Sequence, residues 1–297
     1  MATTSAVITA VLCVAGCATP VETPAVAGQD MTAGLIVTTV YPMTVLDSGN
    51  GAQLCAAVMQ SYPPQCSGTS LVGWDWGQVL GHFEEATGVR WGDFVVTGTY
   101  DVASASFAPT EVIPGDGFAR PEATAPVIES PCREPTEGWR VLDEARTTEA
   151  TMNSAFALAS RLEGFAAGWV DQSQNPATDP DVPAALTAEE QMWALNDPLR
   201  LIVNVAVTHD LEAAESALRE VWGGMLCVSS AERSEAELRQ IAEEISRGDH
   251  GLIANVDAVA GEVVVGVTFD DGTLQHRFDE EYGPGLVTVA SVLQPVS

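Results

Sequence analysis

The stretch Leu54–Cys66, LCAAVMQSYPPQC, sets two cysteines on either side of a Tyr-Pro-Pro turn, and closing it covalently restricts everything built around it. The chain has six cysteines: Cys13 and Cys17 near the start, then Cys55, Cys66, Cys132 and Cys227. The last four allow three pairings. Cys55 with Cys66 is favoured because the Tyr62-Pro63-Pro64 turn brings the chain back on itself, and Cys132 with Cys227 follows by elimination. A zinc site wants cysteines two to four residues apart with histidines near by, and a redox pair wants Cys-x-x-Cys. Neither pattern occurs, so the four cysteines are expected to be structural staples.

The compartment follows from the N-terminus. No charge stands in the first sixteen residues, and Ala6 to Gly16 is an apolar run of eleven, too short for a span of about 20 but suited to a signal peptide. It ends in Val14-Ala15-Gly16-Cys17, which resembles the lipobox of bacterial lipoproteins. The resemblance implies cleavage before Cys17, lipid on Cys17, and a protein held on the outer face of the cell membrane, where disulfides persist. Ala18 to Asp30, rich in Pro, Ala and Thr, reads as a tether reaching roughly 40 Å when extended.

Charge narrows the partners. Twelve Arg, no Lys and 41 acidic residues give a formal charge of −29. Such a surface repels nucleic-acid phosphates, anionic headgroups and anionic wall polymers, so no nucleic-acid partner is expected. The lack of Lys, with abundant Ala, Val, Gly and Asp, is similar to proteins of GC-rich bacteria. Together with the lipobox-like start, the chain resembles actinobacterial-type cell-surface lipoproteins.

Apolar patterning then divides the chain. Residues 1–16 are expected to be a signal peptide, 17–31 the lipidated Cys and tether, 32–114 a β-rich domain, 115–140 a Pro-rich linker, and 141–297 an α+β domain. Six β-type runs lie between Leu35 and Pro114, with DSGNG at Asp47–Gly51 as hairpin chemistry and a short helical candidate at Gly77–Thr87. They suggest a small β-barrel of the oligonucleotide/oligosaccharide-binding (OB-like) type. A helix is expected over roughly Thr147–Val170, with Ala155, Leu158, Leu162, Phe165 and Trp169 on one stripe. Thr187/Glu190 and Ser234/Glu237 have capping-box spacing. From Met225 the order βαββαβ predicts a ferredoxin-like sandwich, preceded by an extra βα unit and closed by the strand GLVTVASVL. The overall class is α+β. The C-terminal FDEEYGPGLVTV pattern is faintly similar to the pro-regions of secreted bacterial proteases.

Catalytic signatures are scarce. His82, His209, His250 and His276 show no metal-ligand spacing, and no HExxH, Gly-x-Ser-x-Gly, P-loop or dinucleotide fingerprint occurs. Asp171, Ser173, Asn175 and Asp179 match the first, third, fifth and ninth places of a calcium loop. Pro176 stands where that loop needs glycine, and Val182 where it needs a bidentate carboxylate, so no metal is expected. No cofactor and no catalytic residue is assigned. Trp74, Trp76 and Trp91 cluster around the first staple and are the candidate binding residues for sugar or peptide, against the plainer role of core filling. The expected function is non-catalytic binding or scaffolding at the cell envelope, with an envelope protein or polymer as partner. The competing readings are an extracytoplasmic hydrolase using His and carboxylate groups, for which a pocket uniting His82 with carboxylates would count, and a protease-associated inhibitor or fold helper.

Overall fold

Short alternating apolar runs in the first third of the chain become strands because each can turn one face inward. The computed structural model describes residues 35–118, 128–179, 186–248 and 252–296. Cys17, the expected signal and tether, Val182 and His250 lie outside the described residues. The class is α+β, with five α-helices and three sheets among the described residues.

The first sheet contains β1 (Leu35–Thr39), β2 (Met43–Asp47), β3 (Ala52–Cys55), β4 (Thr69–Leu71), β5 (Glu84–Ala86), β6 (Val89–Asp101) and β7 (Ser106–Pro114). Its pairings run β6–β2–β3–β4–β7 and return to β6, antiparallel throughout except for the parallel contact of β4 with β7. The β2–β3 hairpin forms at DSGNG as expected: Gly49 and Gly51 take positive φ, and Asp47 Oδ1 accepts both their N–H groups at 2.8 and 3.2 Å. The β6–β7 register shifts between Thr97 and Gly98, with Thr110 of β7 as the extra residue, and a Cβ on Gly98 would stand 2.1 Å from the Ala108 carbonyl oxygen. Only glycine lets β7 approach that closely. Val37, Val45, Leu54, Phe94, Val96 and Phe107 fill the interior.

The expected helix at Gly77–Thr87 is instead a 3-10 turn, Trp76–Val79, followed by strand β5. Gly81 at φ 87° ends the turn, and Thr87 and Gly88, both at positive φ, make a two-residue hairpin into β6.

A second sheet pairs β8 (Phe165–Asp171) antiparallel to β9 (Ile202–Val207), and β9 parallel to β10 (Met225–Ser230). α1 (Glu149–Ala159) and α3 (Leu211–Val221) pack on one face against Val203, Val205, Val207 and Trp222. The expected helix through Val170 stops at Ala159. Gly164 lies at φ 73°, and the chain turns there into β8, so Phe165 and Trp169 of the presumed stripe are strand residues. α2 (Ala188–Leu195) opens with the Thr187/Glu190 box.

α4 (Glu235–Gly248) begins at the Ser234/Glu237 box and buries Leu238, Ala242 and Ile245, spaced as one helical face. It packs with α5 (Thr273–Tyr282) on a third sheet, β11 (Ile253–Asp257), β12 (Glu262–Val267) and β13 (Val287–Ser291). The side-chain amide of Gln275 donates to the Val287 carbonyl and accepts from Val289 N–H, capping the outer edge of β13 as another strand would. From Met225 the βαββαβ order is present, but β10 lies with β9 while β11–β13 form their own sheet. The stretch read as one closing strand is two. After β13 the chain crosses to β14 (Leu293–Pro295), which pairs with β1 and seals the first core with Leu293.

Both expected disulfides form, Cys55–Cys66 and Cys132–Cys227. The second pins the segment after residue 128 onto the β8–β10 sheet, where Cys132 and Trp139 cover Ile202, Met225 and Cys227. Asp171, 2% exposed, anchors the same segment by accepting N–H from Ser130 and Ser173 at 2.7 Å each. Burial alone would raise this carboxyl; the Ser173 and Ser130 donors more than offset it and hold it below its ordinary value.

Two outcomes follow from this pinning. Replacing Cys132 and Cys227 by Ala should lower the unfolding free energy by about 4–5 kcal/mol, against about 3 kcal/mol for the shorter Cys55–Cys66 loop. Urea unfolding of the two variants tests the order, and a larger loss at the short loop would contradict it. For Asp171, a depressed folded-state pKa means stability that is full above the unfolded value of about 3.9 and drains as pH falls through the folded value. Asp171→Asn should cost about 1–3 kcal/mol at neutral pH and flatten part of the acid-side slope measured between pH 2 and 7. An unchanged slope would remove Asp171 as its source.

Candidate functional site

The three tryptophans part company in space. Trp76 is buried in the first core, its indole N–H donating to Asp47 Oδ2 at 3.3 Å. Trp74, half-buried, meets Trp76 and Phe94 edge-on at 5.4 and 5.2 Å. Trp91 alone of the three turns outward, half-buried on the strand pair β5–β6. Tyr62, 79% exposed, stands edge-on to it at 5.7 Å. The staple explains that contact: Cys55–Cys66 closes the loop and Met59 bridges Gln65, so the tip carrying the cis Tyr62–Pro63 bond bends over β6.

Next to Trp91 lies a groove of about 470 Å³, with Pro42, Phe83 and Gly92 at its base and His82, Glu84, Asp93 and Asp116 around it. A Cβ on Gly92 would meet the His82 carbonyl oxygen at 2.6 Å, so glycine lets the His82 loop lie on β6. His82 Nδ1 sits 3.1 Å from both Asp116 oxygens. Asp93 accepts from Thr44 Oγ1 at 2.7 Å. The groove therefore unites His82 with three carboxylates beside an aromatic face. An indole ring offers a stacking surface, and carboxylates accept hydrogen bonds from hydroxyl or ammonium groups. Acid catalysis by a carboxyl asks for a desolvated group, whereas the side chains of His82 and Asp116 are 40% and 71% exposed.

Other sequence candidates have local roles. His209 Nδ1 meets Thr208 Oγ1 at 2.9 Å, and His276 faces Glu280 one helical turn on at 3.5 Å. In the calcium-like loop both Asp171 oxygens are taken by N–H donors, and Asn175 caps a 3-10 turn with its Oδ1 on Ala177 N–H. Among the described residues no group of three or more His, Cys, Asp or Glu is placed to hold a metal.

A second cleft, about 560 Å³, was not visible in the sequence. Its walls come from Ile128–Pro131, the carboxyl ends of β9 and β10, the loop into α4, and the turns at 258–261 and 284–286. No single stretch carries it, so no motif could announce it. No protein-family model matches the chain, and no curated protein matches it in sequence.

Proposed function

We propose that this chain is a lipid-anchored extracytoplasmic protein with a non-catalytic binding role at the cell envelope. The observation that carries binding is the outward Trp91–Tyr62 pair at the edge of a carboxylate-rimmed groove. Large aromatic rings left half in water over a groove are more useful to a ligand than to a core. The two disulfides support an oxidising compartment outside the cytoplasm. No helix among the described residues is long and apolar enough to cross a membrane, and the lipobox-like Cys17 would supply the anchor. The ring of pairings through β2, β3, β4, β6 and β7, parallel only at β4–β7, supports an OB-like barrel for the first module. The βαββαβ succession from Met225 reads as a ferredoxin-like order drawn apart into two sheets.

The ligand best suited to the groove is an uncharged saccharide: its rings stack on Trp91 and its hydroxyls donate to the carboxylates, while a formal charge of −29 turns anionic polymers away. Tryptophan emission during titration with chitotetraose tests this. Binding should be saturable, and Trp91→Ala should weaken it at least about tenfold with an unchanged melting temperature; equal binding by the variant would remove the groove from the reading.

The hydrolase reading keeps one specific observation, His82 and three carboxylates in one groove. It requires turnover of a chromogenic chitobioside that His82→Asn and Asp116→Asn both abolish, and absent turnover by the native chain ends it. The anchor is tested separately by intact mass of protein extracted from membranes. A chain beginning at acylated Cys17 is expected, and an unacylated N-terminus would refute the anchoring.

A further inference from the structure

The larger cleft lies where ligands gather in α/β sheets, at the carboxyl ends of parallel strands. Ala206 is the next-to-last residue of β9, Ser229 and Ser230 end β10, and Ala231 to Arg233, on the way into α4, also line it. The opposite wall, Ile128–Pro131, is not free to drift: Ser130 N–H is bound by Asp171, and Cys132 is bonded to Cys227.

The lining mixes polar and apolar groups, the apolar part including Trp169, Val259 and Leu286 and the polar part Ser229 and Ser230. Three charges interrupt it. Arg233 is half-buried and has neither an ion pair nor a hydrogen bond among the described residues; the charge it does feel is that of Glu237. Arg90, Arg140, Arg146, Arg219, Arg239 and Arg247 each pair with a carboxylate, while Arg133, Arg161 and Arg200 also lack an ion pair among the described residues but do not line this cleft. An unpaired guanidinium in a chain with 41 acidic residues is an open position for an anionic group. Glu129 and Glu232, exposed and also without an ion pair among the described residues, line the same space and suit an ammonium group.

We propose that this cleft binds a short apolar peptide as its zwitterion, the terminal carboxylate on Arg233, the terminal ammonium on Glu129 or Glu232, and the side chains on the Trp169 and Leu286 wall. A simple anion would meet two carboxylates for one guanidinium and the repulsion of the whole chain. A simple cation would meet Arg233. A zwitterion has no net charge to be repelled and satisfies both signs locally. The volume, about 560 Å³, is within the usual range for small-ligand sites and suits two or three residues.

Isothermal titration of the full folded chain with leucylleucine, its N-acetyl form and its C-terminal amide tests the assignment end by end. Saturable one-to-one binding of leucylleucine is expected, with each blocked form at least tenfold weaker. Arg233→Met should abolish the preference for the free carboxylate over the amide. Glu129→Gln combined with Glu232→Gln should abolish the preference for the free ammonium. Trp91→Ala, remote from this cleft, should leave all three titrations unchanged, which separates the inference from the saccharide reading. No saturable binding of leucylleucine, or end-group preferences that survive the charge-removing variants, would overturn the proposal.

Discussion

The bond between Cys132 and Cys227 joins an outer segment of chain to β10, the strand beside β9 in a sheet whose central strand, β9, is buried along its whole length. A strand buried on both sides needs cover on both faces. Helices α1 and α3 supply it on one side; on the other, Ala231 and Ala258 pack against Ala166, Ala167 and Ala206, and the segment after residue 128 covers Ile202, Met225 and Cys227. That segment has no regular hydrogen bonding of its own, so its place depends on the disulfide, on Trp139 against Ile202 and Met225, and on Asp171 holding Ser130. The same pinning creates the larger cleft, because Ile128–Pro131 becomes a wall instead of a loose connection.

A second long-range tie acts from the other end. Once β13 is complete, Val292 and Leu293 donate to the carbonyls of Val267 and Thr268, and the chain is led across to β1. Thr268 then meets Thr69 at 3.1 Å, and Phe269 packs on Tyr100 at 5.4 Å. The first core is thus completed by Leu293, a residue more than two hundred positions beyond most of its neighbours. Such non-local closure is slow to form, since loop entropy is lost before the contact is gained. The staple at Cys55–Cys66 acts early and locally by comparison.

What could be read from the sequence was local. The boxes at Thr187 and Ser234 and the DSGNG hairpin each rest on side chains bonding their own backbone a few residues away, and all three form. The six β-runs of the first module were legible from short-range apolar alternation. The stripe from Ala155 to Trp169 misled because three- and four-residue spacing says nothing about an intervening glycine in the left-handed region; Gly164 broke the helix, and sheet pairing with β9 claimed the remainder. Gly77–Thr87 failed likewise at Gly81 and the Thr87–Gly88 turn. For the site, an aromatic cluster could be seen, but which ring faces outward depended on the β6 register: Trp91 pairs with Leu46 and Glu84, while Trp76 sits beneath the hairpin. Tyr62 reaches Trp91 only through the staple, and Asp116 reaches the groove only through the end of β7, contacts no spacing encodes.

The negative charge from which no nucleic-acid partner was expected also bears on what the two hollows can accept. At physiological salt the field of exposed carboxylates is screened within about 8 Å, so −29 does not act as one distant charge but as a local toll at every mouth. Near the groove by Trp91 the local set is His82 with Glu84, Asp93 and Asp116; near the larger cleft it is Arg233 with Glu129 and Glu232. Each set has more carboxylates than nitrogen groups, three beside His82 in the first and two beside Arg233 in the second. A ligand rich in negative charge is opposed at both, and a purely apolar one would leave Arg233 unmatched. On the two proposals, neutral molecules with polar handles would suit the first and zwitterions the second, and the acidity of the chain would then act as a filter on the ligand and not merely as a means of staying in solution.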